Sequence, residues 1–495
     1  MRTETKTATV PGDPNHIDRA VWVTAFTIIV GAMAVVFDAT IVSVAIQDLT
    51  TDLHASLGTI QWVSTGYLLA MFVTIPVTGW AQAALGGKTL WLVSLSTFLL
   101  GSVLCAVAWD APSLIVFRVL QGIGGGVMLP LMTTLIVQAA GGRNIGRVMA
   151  AITLPTTLGP IIGPVIGGVI LAAADWRWLF FVNVPFCLAG LWLARRNLPA
   201  EASRRSVRLD IIGLALISPG ITAVIYGLSQ AAGSGGLASA QVEVPLVTGG
   251  VLVAAFVAWS LRRGADALID LRLLRHLPFA SGSLLGFLAG ATLYGAMFLL
   301  PLYWQQGRGQ DALGAGLLLI PQGIGTLLSR NLAGRYTDRF GPRWVALAGF
   351  LVVTVATIPF GFVTGDTSYL LLLVSLLVRG FGMGVAIIPL LGASFLGLSQ
   401  EEIPNASIIT RVAQQVGGSI GTAALAVVLQ HATGNHQPGA GSAFGNAFWW
   451  AIAFTALAAP MCFLLPRRTT PALSIAQTPP NFVGIEQPSP ATTTK

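Results

Sequence analysis

The stretch VWVTAFTIIVGAMAVVFDATIVSVAI, Val21 to Ile46, holds 26 residues and one charged side chain, Asp38. About 20 apolar residues in a helix cross the roughly 30 Å hydrocarbon core of a bilayer. The stretch is therefore read as a membrane-spanning helix. A cleavable leader has a shorter apolar core and ends on small residues. This run is too long and has no such end, so it is expected to remain as the first span. The same ruler finds further runs at about 59–80, 89–108, 112–137, 146–173, 178–195, 209–229, 244–262, 279–300, 313–333, 343–363, 369–394, 406–430 and 446–466. The predicted fold class is an all-α polytopic membrane protein of 14 spans.

Composition points the same way. Hydrophobic residues make up 54% of the 495 and charged residues 9%, where a soluble domain carries about 25% charged. A single soluble core stops growing near about 250–300 residues, so the apolar surplus must face lipid. The net charge of +8 lies in short loops between apolar runs, and no nucleic-acid partner is expected. Cys105, Cys187 and Cys462 each sit inside an apolar run without disulfide or metal spacing. The five histidines fall outside the spans and form no cluster. No glycine-rich phosphate loop ending in Lys-Ser or Lys-Thr is present. Neither enzyme chemistry nor a metal or other cofactor is expected.

Lys and Arg set orientation, because cytoplasmic loops are enriched in them. With the N-terminus inside, the cytoplasmic segments carry 22 basic residues and the outer loops 2, Arg177 and Arg308. Arg118, Arg379 and Arg411 fall within spans. Both termini are thus predicted cytoplasmic, on a multi-pass protein of the cell membrane. The densest basic loops flank the spans at 209–229 and 244–262. They divide the chain into a cytoplasmic segment 1–20, a six-helix half 21–195, an extra pair of helices 196–278, a second six-helix half 279–466 and a Thr/Pro-rich tail 467–495. The tail is too polar to pack and is expected to be disordered.

The two halves echo each other. GWAQAALGGK at Gly79 to Lys88 matches GRYTDRFGPR at Gly334 to Arg343, and RVLQGIG from Arg118 matches RGFGMG from Arg379. Repeated halves are the usual architecture of secondary transporters, with the substrate site between them.

These motifs resemble a known family. FDATIVSVA from Phe37, WVSTGY from Trp62, RVLQG from Arg118, GPIIGPVIGG from Gly159, WRWLFFVNVP from Trp176 and RVAQQVGGSIG from Arg411 occur in the order seen in the fourteen-span drug/proton antiporters of the major facilitator superfamily, the QacA/EmrB-like branch. The resemblance runs from Val21 to Pro466. It implies the major facilitator fold and proton-coupled export of lipophilic or amphipathic small molecules, drugs or natural products. The partners implied are a small-molecule substrate, protons and the lipid bilayer, and the chain is expected to act as a monomer. The proton motive force replaces any cofactor. One departure stands out. Ala83, Ala84 and Gly87 occupy positions where the family carries charges, while Asp338 and Arg339 keep them in the second copy.

Asp38 is the only acidic residue placed deep in a span. A charge at bilayer depth costs about 2.5–3.5 kcal/mol even on permissive scales, so it must be paired, hydrated or protonated. Burial and a nearby arginine shift a carboxylate's proton affinity in opposite directions. Moving between such settings would bind and release a proton; a static Asp38–Arg118 pair holding helices together is the alternative. Arg118, Arg379 and Arg411 against one aspartate leave an intramembrane excess of +2, which hints at neutral or anionic substrates. Candidate substrate contacts are Trp62, Tyr67, Gln121, Tyr294, Gln305, Gln322, Arg379, Arg411, Gln414 and Gln415. Candidate gating residues are Gly159, Gly163, Pro164, Gly167 and Gly168, whose small side chains permit close helix approach, and Gly334, Asp338, Arg339 and Gly341 in the loop motif. Alternatives to a drug exporter are a dedicated lipid or metabolite transporter and a non-transporting membrane sensor or assembly partner.

Overall fold

A computed structural model describes residues 19–141, 166–199, 208–231, 239–310, 312–364, 366–434 and 441–467, with Met149, Gly159 and Gly163 placed singly between. The main helices are α1 Arg19–Ile41, α2 Leu57–Thr74, α3 Gly87–Ala106, α4 Ala111–Ala140, α5 Asn183–Asn197, α6 Ile211–Ala231, α7 Ala240–Arg263, α8 Leu277–Leu302, α9 Ile320–Phe340, α10 Pro342–Gly361, α11 Tyr369–Ala393, α12 Ile403–Gly434 and α13 Gly441–Met461. In hydrocarbon only a helix satisfies its own backbone polar groups, and this explains the absence of strands among the described residues.

Among the described residues, 12 helical stretches are long and apolar enough to cross a membrane. The expected count of 14 is not reached. The expected span 146–173 falls largely outside the described residues, Pro164 included. The expected span 313–333 folds as Ala312–Leu318 followed by α9. Its helical core is shifted toward the C-terminus and takes in Arg330, Arg335, Asp338 and Arg339, which lowers its hydropathy.

The repeat is visible in the packing. In the first half α2 and α3 both pack on α4, and α5 packs on α1 and α3. In the second half α9 and α10 both pack on α11, and α13 packs on α8 and α10. The echoed loop motifs fold alike. Gly86 has φ 82° and ends the helix before α3; Gly341 has φ 83° and ends α9. Only glycine takes this left-handed backbone without strain. Two residues on, Lys88 donates to the carbonyls of Arg195 (2.9 Å) and Leu198 (2.7 Å), and Arg343 donates to that of Leu465 (2.8 Å). Each cation thereby binds the C-terminal end of its half's last long helix, where carbonyls lack helical partners.

Glycines let the helices at the centre approach closely. A Cβ on Gly421 would lie 2.6 Å from Ala291 Cα, and one on Gly417 or Gly290 would strike backbone of the facing helix. These glycines therefore set the α8–α12 contact. In the first half Thr40 donates 3.0 Å to the carbonyl of Gly159, and a Cβ on Gly163 would strike Thr40. The described part of the fifth-span glycine motif thus lies directly against α1. Gly167 is buried, whereas a Cβ on Gly168 would meet open space, so Gly168 is not a packing glycine.

The two halves share one apolar cluster at the end that carries the loop motifs. It joins Ala81, Val137 and Ala194 to Ala333, Phe395, Ile403 and Ala406. An amide chain runs across the same end: Gln82 donates to Gln138 (3.1 Å), and Gln138 donates to the carbonyl of Gln400 (3.1 Å). At the opposite end the apolar side chains gather into separate clusters, one around Trp176 and Phe180 and one around Tyr303 and Trp304.

The extra pair α6–α7 lies at the flank and bridges the halves there. α6 packs on both α2 and α12, with Ile217, Ile221 and Ile225 against Phe72, Ile75 and Ile408. Its base is held by Asp210, which is buried. That carboxylate accepts from the Gly213 amide (3.0 Å), Trp259 Nε1 (3.1 Å) and the Leu268 amide (3.1 Å). Replacing it by alanine strands three donors, each worth about 1–3 kcal/mol when left unsatisfied in a buried site. Asp210→Ala is expected to lower the thermal unfolding midpoint in detergent by several degrees, with Asp210→Asn falling between it and wild type. An unchanged midpoint for Asp210→Ala would show that this anchor is dispensable.

Candidate functional site

Asp38 sits near the C-terminal end of α1 and is fully buried, as is Arg118 on α4. Arg118 Nη1 donates to Asp38 Oδ2 at 2.5 Å. Gln121 Nε2 and Asn183 Nδ2 each donate to Asp38 Oδ1 at 2.9 Å. Arg118 also donates to Gln121 Oε1 (2.7 Å) and, through Nε, to the Val63 carbonyl (3.2 Å). Its guanidinium stacks 4.0 Å from the Tyr67 ring centre. Asn183 reaches on to Ser102, which donates to the Phe180 carbonyl. Three donors on one carboxylate, drawn from α4 and α5, make this a closed polar node spanning three helices.

The second half has a matching node without an acid. Arg379 on α11 is buried (2% exposed). It donates to Thr357 Oγ1 (3.3 Å), Gln322 Oε1 (3.0 Å) and the Thr292 carbonyl (3.4 Å). Thr455 on α13 completes the cluster by donating to Thr292. No ion pair to Arg379 occurs among the described residues.

Between the halves lies a cavity of about 430 Å³. Its walls come from α1, α2, α4, α8, α9, α11 and α12, and most are apolar, among them Met71, Phe72, Met132, Met297, Ile387 and Phe395. Five of the expected substrate contacts line it: Tyr294, Gln322, Arg411, Gln414 and Gln415. The other five do not. Tyr67 and Gln121 are buried in the Asp38 node, and Arg379 lies behind Gln322. Trp62 is 44% exposed and stacks on Tyr226 of α6, 6.3 Å between ring centres. Gln305 is exposed in the short π-helical segment that follows α8. Helical periodicity explains why only some of them line the cavity. Residues of one span point to every side of it, and polarity alone does not tell the cavity side from a buried node or the flank.

Gly334, Asp338 and Arg339 occupy the last turns of α9, and Gly341 caps them. Asp38 does not line the cavity, but its neighbours Val36, Ala39 and Thr40 do.

The sequence reading missed Arg330, Ser407 and Thr410, all on the cavity wall. The count of 22 cytoplasmic basic residues includes Arg330, near the end of its expected span. Because α9 runs on to Phe340, Arg330 lies mid-helix and reaches the cavity wall. The i, i+4 relation of Ser407 to Arg411 could have placed both on one face.

Residues 28–422 match the Major Facilitator Superfamily as a profile. The chain belongs to the Major Facilitator Superfamily. Among curated relatives it is 38% identical over 420 residues to the multidrug resistance protein B homolog of Mycobacterium tuberculosis H37Rv, covering 84% of this chain and 78% of that one. It is 29% identical over 404 residues to the lincomycin resistance protein LmrB of Bacillus subtilis, covering 81% and 83%. Among solved structures it resembles the human organic anion transporter MFSD10 (TM-score 0.62, 15% identity, 89% and 99% covered). It also resembles the proton:xylose symporter XylE (TM-score 0.63, 15% identity, 90% and 96% covered). These two likenesses establish the fold. The superfamily consists of transporters of small molecules, and the protein is a multi-pass membrane transporter of that type.

Removing one member of a buried ion pair leaves the other uncompensated, a loss of about 3–5 kcal/mol. Arg118→Ala is therefore expected to lower the unfolding midpoint more than the double variant Asp38→Asn/Arg118→Gln. Thermal unfolding of the purified protein measures both. Equal losses would mean that the charges are not coupled.

Proposed function

We propose that this transporter is a proton-coupled antiporter that exports lipophilic or amphipathic small molecules across the cytoplasmic membrane by alternating access. The observation that carries this reading is the apolar cavity between the repeated halves, walled by α1 beside the buried Asp38 node. The relatives named for multidrug and lincomycin resistance support the substrate range. The full architecture is taken as 14 spans, with 146–173 and 313–333 completing the 12. Both termini are placed in the cytoplasm, and the chain works as a monomer.

Asp38 is the proton site. While Asp38 is ionised, its charge balances Arg118 and the node ties α1, α4 and α5 together. A proton on Asp38 removes that charge, and α1 is freed to move relative to α4. Because Val36, Ala39 and Thr40 of α1 line the cavity, a shift of α1 reshapes the substrate site. Proton and substrate drive opening only by binding the two states differently. A proton moving down about 100 mV supplies about 2.3 kcal/mol.

The shared cluster and the amide chain close the end bearing the loop motifs. With the basic loops inside, this is the cytoplasmic end, so the conformation is outward-facing. Gln82, Gln138 and the Gln400 carbonyl serve as a neutral latch in the half where Ala83 and Ala84 replace charges.

Transport in proteoliposomes tests the reading. An ethidium-like dye is expected to move when a pH gradient is imposed on wild type, and Asp38→Asn is expected to reduce gradient-driven movement at least tenfold at equal reconstitution. Equal movement by both would make Asp38 a static strut. For the latch, Gln138→Ala is expected to raise cysteine accessibility at the cytoplasmic mouth, read by maleimide labelling of a cysteine introduced at Ala81; unchanged labelling would exclude it.

A further inference from the structure

From the charge of the cavity we infer that the substrate is an amphipathic organic anion, with its oxyanion head between Arg330 and Arg411 and its apolar body against Met71, Phe72 and Met132 of the first half. The inference rests on the reading of this cavity as the substrate site.

Among the described residues, the cavity wall carries two charged side chains, Arg330 and Arg411, both cations, and no Asp or Glu. The other intramembrane arginines do not set its charge. Arg118 is neutralised by Asp38, and Arg379 is held behind Gln322. Arg411 Nη1 donates to Gln414 Oε1 (3.2 Å), a neutral acceptor, and forms no ion pair among the described residues. A guanidinium stays charged and, in an apolar setting, calls for an anionic partner.

A second, independent observation points to a ligand at the same place. Ser407 and Thr410 line the cavity and are 3% and 5% exposed. Their hydroxyls have no hydrogen-bond partner among the described residues, and neither does the buried Nε of Arg330. A helical serine or threonine in an apolar setting ordinarily turns its hydroxyl to a carbonyl one turn back, as Thr326 and Thr357 do here. Ser407 and Thr410 do not. Ser407 and Arg411 lie one turn apart on the same face of α12, with Thr410 adjacent. Two hydroxyl donors and two guanidinium groups from α9 and α12 form a donor set suited to a carboxylate, sulfonate or phosphate ester. Across the cavity the wall is mainly apolar, with Leu68, Met71, Phe72, Ile75, Leu129 and Met132 beside the two uncharged threonines Thr40 and Thr133. The site is polar on one side and greasy on the other, which fits a one-headed amphiphile. A lipophilic cation would meet two like charges with no acid to offset them.

The charge has a mechanistic consequence. One proton inward against one anion outward moves two charges across the membrane. One proton against a monovalent cation moves none. Export of the anion therefore responds to membrane potential, with its equilibrium accumulation changing about tenfold for every 30 mV.

Full-length protein in nanodiscs of zwitterionic phospholipid tests the head-group assignment with three labelled probes on one apolar body: naphthylacetate, naphthylacetamide and naphthylmethyl-trimethylammonium. Naphthylacetate is expected to bind at least tenfold tighter than the other two. Arg330→Gln and Arg411→Gln are each expected to weaken naphthylacetate about tenfold and to leave the amide within twofold. Arg330→Lys and Arg411→Lys are expected to recover part of the loss, which separates a charge contact from misfolding. Equal or tighter binding of the ammonium probe or the amide overturns the inference, as does insensitivity to both glutamine variants. So does loss of naphthylacetate binding when phosphatidylglycerol is added to the nanodisc, which would assign the donors to a lipid head group. In proteoliposomes a potassium diffusion potential of fixed size is expected to drive naphthylacetate and not the ammonium probe. Movement of the ammonium probe alone under a pH gradient would keep proton coupling and sink the anion. Selective naphthylacetate binding without pH-driven movement would keep the anion site and sink the coupling.

Discussion

Hydrocarbon offers no hydrogen bonds, so every polar group that this chain carries into the membrane must find its partner inside the protein. That single constraint orders the structure. It makes each crossing segment a helix. It gathers Asp38, Arg118, Gln121, Asn183 and Ser102 into one closed node. It also sends Arg379 to Gln322, Thr357 and the Thr292 carbonyl, with no ion pair to it among the described residues. Groups left without a protein partner are then informative, and those on the cavity wall define where a ligand's polar end belongs.

The repeated halves share a scaffold but differ in charge. Both place an arginine at the same point of the fourth helix of the half, both use a left-handed glycine to turn into the third, and both bind the end of the last helix with a basic side chain. Among the described residues, only the first half pairs its arginine with a carboxylate. The charges of the first node therefore offset each other, while the second keeps its guanidinium among neutral acceptors. The cavity lies between one half with a charge-balanced node and one half with a cationic node, an asymmetry built from symmetric parts. The extra helices α6 and α7 add to this asymmetry, since α6 bridges α2 and α12 on one flank.

Much of this was legible in advance. The first span, the repeat and the Asp38–Arg118 pairing followed from hydropathy, motif echo and the cost of a buried charge. Gln322, Gln414, Gln415, Tyr294 and Arg411 were singled out as polar residues in apolar runs, and they do line the cavity. Trp62 and Gln305 were singled out on the same ground and do not, because one stacks on Tyr226 and the other is exposed beyond the end of α8. Arg330 lies three residues before the expected end of its span and groups by sequence with the basic loop that follows, whereas α9 runs on to Phe340.

The sequence by itself determined that the chain crosses the membrane many times, that its halves echo one another, and that Asp38, Arg118, Arg379 and Arg411 lie at depth. Those follow from composition and order, which do not depend on which way a side chain points. Only the tertiary structure decided which of the buried polar groups satisfy one another and which face a shared cavity. That depends on helix rotation and axial register. A rotation by one residue moves a side chain about 100° around a 3.6-residue turn, and the rotation is set by glycine contacts between helices far apart in the chain, such as those of Gly290 and Gly417 between α8 and α12.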